Sequence, residues 1–503
     1  MSLARKIIRG SAINVADHLI KIAVVFVTTP LMVRHLGEHD YGLWIVAGTI
    51  IGYLRLLDLG VSLTGNRFLG RAIGTGEIQE YRENFIALSY LFNRIGLFSL
   101  ITTVALALGL PLLLPGNAGV SEARWILLGL GLSTSVRFWT QIFSVVLKSH
   151  LRYDWIGVTS ITKTLIQGGL LVFLLTHGHG LFSLVLVYIA TEILDQVLLA
   201  LFARRAYPEC RLLIVRGRPP GLPPILRYSG TAILASLGNQ LRNGLDPLLV
   251  GHFSGLALVP VYSIGSRFLS LFTDLINAIF GGNLLAAFSQ LDGSNDREGL
   301  VRNFLTSLRF STAFATAGGG VLVLFGPDFI KFWIGPAFAD SGRVLLILAA
   351  PVTLSLAQYP VGSLLYSQNK QHWLAFAGLG GGVFNAALSV ILVVKIGFFG
   401  VVWGTFVELL LHFGLLVPLL AARACKLNAV SYLWRILKES IPYAALAALF
   451  YAVIGNVASP DFLHLALRAG AFALLLVPLF WAYTLTPAER SAIRRFGQRS
   501  GVT

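Results

Sequence analysis

Ionisable side chains recur inside oily stretches of this chain. IIGYLRLLDLGVSL, residues 50–63, holds Arg55 and Asp58 in otherwise apolar surroundings. Asp17 and Lys21 stand four residues apart, Arg55 and Asp58 three, and Arg242 and Asp246 four, so each pair shares a helix face. Arg94, Arg137, Lys163, Glu192, Asp195, Arg267, Asp274, Arg309, Glu408 and His412 also sit within apolar runs. A charge near a bilayer centre is costly and by default faces a bundle interior or a watery cavity. Arg offers bidentate donors to phosphate and Lys a mobile point charge. Both attractions strengthen in low dielectric. An excess of cations therefore suits a phosphate or pyrophosphate, and carboxylates in the same spans suit a coupling proton or sodium ion. The competing reading is structural, with each charge neutralising another between helices. Lys163 and Glu192 fit it as readily as the functional one. Asp58 and Asp274, near span ends, favour anchoring. Lys21, Arg94, Arg242 and Arg267 favour ligand binding, because cations outnumber the carboxylates near them. At about 1.5 Å per residue, Asp17 and Arg55 lie at similar depth on successive spans. A pair between them would leave Lys21 free.

These charges need long apolar helices to hold them. The 503 residues are 55% hydrophobic and 12% charged, with a mean hydropathy of +0.75. Soluble domains carry about 25% charged residues. Apolar runs near 20 residues, enough to cross a bilayer, recur throughout. The expectation is an all-α polytopic membrane protein of about 14 transmembrane helices. Among the expected spans are 41–63, 122–147, 342–366 and 398–422. Trp139, Trp155, Trp333 and Trp434 fit an interfacial belt near span ends. Lys and Arg cluster in alternate loops, which places both termini in the cytoplasm and accounts for most of the net charge of +16 without nucleic acid. The basic, proline-containing stretch 203–224 reads as a cytoplasmic connection. GSAI at 10–13 and GTAI at 230–233 open the chain on either side of it in a weak echo. The organisation expected is an N-lobe of six helices over 1–205, a basic linker over 206–224, a pseudo-symmetric C-lobe of six over 225–423, and two further helices with a basic tail over 424–503. Transporters built from repeats carry substrate at the repeat interface, so a central cavity is expected.

Several chemistries lack their signatures. There is no GxxxxGK[ST] phosphate loop, HExxH, CxxC or GxSxG motif. Cys210 and Cys425 are the only cysteines, so no disulfide framework is expected. No metal site and no cofactor are implied, and a transporter fits better than an enzyme.

Residues 29–77, TPLMVRHLGEHDYGLWIVAGTIIGYLRLLDLGVSLTGNRFLGRAIGTGE, resemble the first two helices of Wzx-type bacterial polysaccharide flippases. These belong to the multidrug/oligosaccharidyl-lipid/polysaccharide exporter superfamily. Pro30, Leu36-Gly37, Tyr41-Gly42, Asp58-Leu59-Gly60 and Arg67 carry the resemblance. It implies O-antigen or exopolysaccharide export: undecaprenyl-pyrophosphate-linked oligosaccharide flipped from the cytoplasmic to the periplasmic leaflet of the bacterial inner membrane by alternating access. It also implies a cationic cavity, a role that falls here on Lys21, Arg55, Arg94, Arg242 and Arg267. Coupling to H+ or Na+ falls on Asp17, Asp58 or Glu192. A polysaccharide polymerase and a chain-length regulator are the protein partners such a flippase implies. The alternatives are a lipid II flippase of the same superfamily, a drug/cation antiporter, and a membrane O-antigen polymerase or ligase. The antiporter would want an acidic cavity, and the polymerase or ligase a long outer loop.

Overall fold

The computed structural model describes residues 3–58, 60–113, 119–208, 210–213, 215, 217–219, 221–223, 225, 244–454 and 461–491. Among them every regular element is a helix. Ten helical stretches are long and apolar enough to cross a membrane, which makes the chain a multi-pass all-α membrane protein. Leu474, Val394 and Val453 are each at least 70% exposed. Large apolar side chains facing outward in such numbers suit lipid rather than water. The chain divides into two compact units, Met1–Pro260 and Val261–Thr503.

The first unit begins with α1 (Leu3–Leu54), whose helical backbone breaks at Gly37 (φ 76°). A 3-10 turn, Arg55–Asp58, follows. Then come α2 (Val61–Thr75), α3 (Ile78–Leu113), α4 (Val120–Ser149), α5 (Tyr153–Thr176), α6 (Leu181–Ala206) and the short α7 (Asp246–Phe253). The sequence reads 41–63 as one span. In the structure it ends at the 3-10 turn, and the chain restarts as α2 after Gly60 (φ 69°). That left-handed backbone suits glycine because any Cβ would crowd the following carbonyl. α3 packs along α4, α1 along α5, and α4 against α6. The described part of the basic segment after α6 lies on this unit. Cys210, Leu222 and Ile225 join its core, Tyr207 packs edge-on against Tyr81, and Asn93 donates to the Leu213 carbonyl at 2.6 Å.

The second unit holds α8 (Leu258–Gly293), which starts just before the division, and α9 (Arg297–Trp333). After them come α10 (Ala339–Ala357), α11 (Pro360–Ser367), α12 (Gln371–Ile396), α13 (Phe399–Leu411), α14 (Val417–Cys425), α15 (Ala429–Ile454) and α16 (Phe462–Leu479). Two expected spans are therefore interrupted: 342–366 before Pro360, which cannot donate to a preceding turn, and 398–422 by a π-helical turn at His412–Leu416. α15 and α16 are pinned to α9 by Phe325, Phe450, Leu465 and Phe472. Trp139, expected at an interface, lies mid-helix in α4. It packs on Gly96 and donates to the Asn93 carbonyl at 3.2 Å.

Candidate functional site

The densest group of charges in the first unit gathers where the end of α1 meets α4, α5 and α6. On α4, Arg137, Gln141 and Lys148 follow one helix stripe. On α6, Tyr188, Glu192, Asp195 and Gln196 follow another. The two helices pack together, and the Arg137–Glu192 and Thr140–Gln196 contacts bring the two stripes into a shared region.

Glu192 is the hub. It forms an ion pair and hydrogen bond with Lys163 of α5, and Gln196 donates to its other oxygen at 3.0 Å. Arg137 approaches that same oxygen at 3.8 Å. The chain of bonds continues, with the Thr140 hydroxyl donating to Gln196 at 2.6 Å. A second branch runs from the Ser62 hydroxyl, which donates to Asp58 at 2.7 Å and accepts from Gln141 at 3.0 Å. Lys148 and Arg137 act on Asp58 by charge, and Lys163, Glu192 and Arg137 act on Asp195. No carboxylate lies within ion-pair distance of Arg55 among the described residues.

The result is a region of four cations (Arg55, Arg137, Lys148, Lys163) and three carboxylates (Asp58, Glu192, Asp195). Lys163 claims the central carboxylate. Arg55 is exposed, and the Arg137 side chain keeps 40% of its accessibility. Two neighbouring guanidiniums of that kind repel each other, and an anion bridging them would relieve the repulsion.

The sequence-derived candidates separate accordingly. Arg55, Asp58 and Glu192 belong to this group. Lys21 and Asp17 bond each other within α1 at 2.7 Å. The expected Asp17–Arg55 pair with a free Lys21 is thus not formed, because a same-helix partner four residues away meets Asp17 first. Arg94, on α3, lies over the Tyr90 ring at 5.2 Å. Arg267, on α8 in the second unit, is exposed. Arg242 lies outside the described residues. Arg137, Lys148 and Asp195 are members that the sequence reading did not single out as ligands. Their signal was the polar spacing 137, 141, 148 along an apolar helix. Among the described residues no three His, Cys, Asp or Glu side chains converge as a metal site.

A multi-pass helical bundle with ionisable side chains held inside its spans is the make-up of a membrane transporter. Residues 31–343 match the family described as polysaccharide biosynthesis protein, and the chain belongs to that family. It is 20% identical over 423 residues to the membrane protein EpsK of Bacillus subtilis (strain 168), covering 82% of each chain. The succinoglycan biosynthesis transport protein ExoT of Rhizobium meliloti (strain 1021) is 22% identical over 339 residues, 66% of this chain and 65% of that one. The teichuronic acid biosynthesis protein TuaB of Bacillus subtilis (strain 168) is 22% identical over 372 residues, 72% and 73% of the two chains. The fold matches the lipid II flippase MurJ in an inward closed conformation, with a TM-score of 0.72 at 14% identity over 93% of this chain and 98% of that one. It also matches an inward-facing multidrug resistance MATE transporter of the MOP superfamily, with a TM-score of 0.67 at 13% identity over 84% and 98%.

Proposed function

We propose that the protein is a flippase. In this reading it carries undecaprenyl-pyrophosphate-linked oligosaccharide from the cytoplasmic to the periplasmic leaflet of the bacterial inner membrane by alternating access. Both termini lie in the cytoplasm. The six-helix halves 1–205 and 225–423 act as the moving lobes around linker 206–224, with 424–503 appended. The observation that carries the reading is that Glu192 is already committed to Lys163 while Arg137, 3.8 Å from it, stays 40% exposed and Arg55 is exposed with no carboxylate at ion-pair distance among the described residues. A pyrophosphate bridging the two guanidiniums accepts from both and cancels their repulsion. Lys148 adds a third cation on the same stripe of α4. Lys21, Arg94, Arg242 and Arg267 would guide the head group or acidic sugars along the rest of its path.

Glu192 is the carboxylate best placed to couple an ion gradient. A proton or Na+ arriving there competes with Lys163 for the same oxygens, and releasing Lys163 frees a cation for the cargo. Asp58, held by Ser62, is the second candidate, and Asp17 the third. A polymerase and a chain-length regulator would receive the flipped unit.

The test is leaflet translocation of a labelled polyprenyl-pyrophosphate oligosaccharide in proteoliposomes. Arg55→Ala and Arg137→Ala should each slow transport by at least tenfold, the scale of one lost charge-assisted contact of about 1.5–3 kcal/mol. Glu192→Gln should leave a residual rate that no longer responds to an imposed gradient. Transport at wild-type rate by both arginine variants would refute the proposed cargo site. Failure of the folded wild type to move any polyprenyl-linked sugar would refute the function.

A further inference from the structure

The second unit holds a basic groove that the proposed transport reaction does not use. α9 and α15 run side by side in the same direction. They meet where Thr316 donates to the Ser440 hydroxyl at 3.1 Å, and again where Phe325 packs on Phe450. Toward their N-terminal ends the buried Phe304 and Tyr432 rings stack on one side, and the other side leaves a groove of about 1180 Å³ with the Thr316–Ser440 bond just beyond its floor.

The mouth of the groove carries four cations, Arg297, Arg302, Arg435 and Lys438, against one exposed carboxylate, Glu298. Among the described residues none of these four is in an ion pair. Near the floor, three polar atoms are buried without a hydrogen-bond partner: Arg309 Nε, Thr312 Oγ1 and one carboxylate oxygen of Glu439. Thr312 is wholly buried. A buried polar atom left unsatisfied is costly, so three around one opening mark a place for an external partner. Two are donors or donor-acceptors and one is an acceptor. Between mouth and floor the wall is apolar, formed by Val301, Leu305 and Trp434. Val430, Trp434 and Leu437 are 74%, 59% and 50% exposed beside the mouth, so the groove opens toward lipid.

We propose that this groove binds an anionic glycerophospholipid whose head group bears hydroxyls, the chemistry of phosphatidylglycerol. Its phosphate sits among Arg302, Arg435 and Lys438, and its acyl chains lie along Val301, Leu305 and Trp434. The head-group glycerol reaches the floor, where one hydroxyl donates to Glu439 and an oxygen accepts from Thr312 or Arg309. Basic pockets between helices at a membrane surface select anionic head groups in this way. A zwitterionic lipid would bring its own cation to a mouth where four cations outnumber the single carboxylate of Glu298. A free soluble anion would leave the apolar wall uncovered. The bound lipid bridges the near ends of α9 and α15 and thereby ties the packing of α15 to membrane composition.

The experiment is native mass spectrometry of the full chain in detergent, titrated with phosphatidylglycerol or phosphatidylcholine. Wild type should bind one phosphatidylglycerol in preference to phosphatidylcholine. Each interfacial cation contributes about 1 kcal/mol, a factor of about five. Arg302→Ala/Arg435→Ala should therefore weaken that first lipid by about thirtyfold and leave phosphatidylcholine unchanged. Arg343→Ala, which removes a cation paired with Asp340 at the other end of the unit, should change nothing. On wild type alone, raising NaCl from about 0.1 to about 1 M shortens the screening length from about 10 to about 3 Å. It should weaken phosphatidylglycerol selectively, a result independent of whether the variant folds. Equal affinity for the two lipids, or an unchanged first-lipid affinity in the double variant, would overturn the proposal. So would displacement of phosphatidylglycerol by equimolar undecaprenyl pyrophosphate, which would assign the groove to the cargo.

Discussion

The Lys163–Glu192 pair offers the sharpest test of how the charges in the first unit are held. It joins α5 to α6 across 29 residues of chain, with side-chain exposures of 17% and 9%. At that burial, removing one partner strands the other in low dielectric and costs about 3–5 kcal/mol. The geometry refines this figure separately for each side. In Lys163→Met, Glu192 keeps the Gln196 hydrogen bond at 3.0 Å and the Arg137 contact at 3.8 Å, so the loss should fall at the lower end, about 3 kcal/mol. In Glu192→Gln, Lys163 retains only the charge of Asp195 nearby, and Arg137 and Arg55 lose the carboxylate that offsets them. That variant should lose about 3–4 kcal/mol. In the double variant Lys163→Met/Glu192→Gln neither charge is stranded, and stability should return to within about 1–2 kcal/mol of wild type. The coupling in the cycle is then at least about 2 kcal/mol. Unfolding by SDS in mixed micelles, followed by tryptophan fluorescence, measures all four proteins. Single-variant losses below about 0.5 kcal/mol would mean that the pair behaves as a solvated surface pair. Losses that simply add would mean that Arg137, rather than Lys163, is the true partner of Glu192.

Other perturbations follow from local geometry. A Cβ on Gly42 would stand 2.1 Å from the Leu256 carbonyl oxygen, and backbone cannot swing aside. Gly42→Ala should cost about 1–3 kcal/mol in the same SDS titration, and an unchanged midpoint would refute that close approach. Burial pushes the Cys210 thiol up to about 12. With Cys425 replaced by Ser, maleimide labelling of the folded protein at pH 8 should run on the order of a thousandfold slower than in SDS-unfolded protein, and equal rates would show that residues 206–224 are not packed. Burial pushes the Glu489 carboxyl up, but hydrogen bonds from the Thr486 N–H and hydroxyl and the charge of Arg309 outweigh it and hold it below the ordinary range. Its stabilisation is therefore present above the unfolded glutamate value of about 4.3 and is lost as pH falls through the lower folded value. Glu489→Gln should accordingly be less stable than wild type at pH 6 and indistinguishable from it once Glu489 is protonated. A gap that persists in strong acid would contradict this.

What the sequence made legible, and what it hid, divides along a physical line. Composition decides the solvent, so an all-helical membrane protein was readable from the scarcity of charge and the length of the apolar runs. Breaks within spans were less readable. Pro360 announces itself, whereas the 3-10 turn at Arg55–Asp58 and the π turn at His412–Leu416 arise from packing against neighbours that one sequence does not reveal. Gly37, Gly42 and Gly60 stood in the resemblance as bare letters. The structure gives each a reason: a left-handed backbone at Gly37 and Gly60, and a carbonyl against Gly42.

The same line separates the candidate ligands. A charge with an opposite partner four residues away needs no other helix, and Asp17 with Lys21 realises that local solution. Arg137 and Lys163 have no such partner on α4 or α5. Each must find its counter-charge across a helix interface, and both find it at Glu192. Partnerless spacing is thus the better sequence signal for a charge that works between helices. Arg55 departs from that rule. Asp58, three residues on, could have neutralised it on a continuous helix. The 3-10 turn keeps the two on one face, yet Asp58 accepts from Ser62 at 2.7 Å and no carboxylate lies within ion-pair distance of Arg55 among the described residues. The competing Ser62 hydroxyl, rather than the turn itself, is what engages Asp58 here. Ser62→Ala, which removes that donor, should return Asp58 to Arg55 and slow translocation in the proteoliposome assay while leaving the rest of the bundle folded, and an unchanged rate would contradict this.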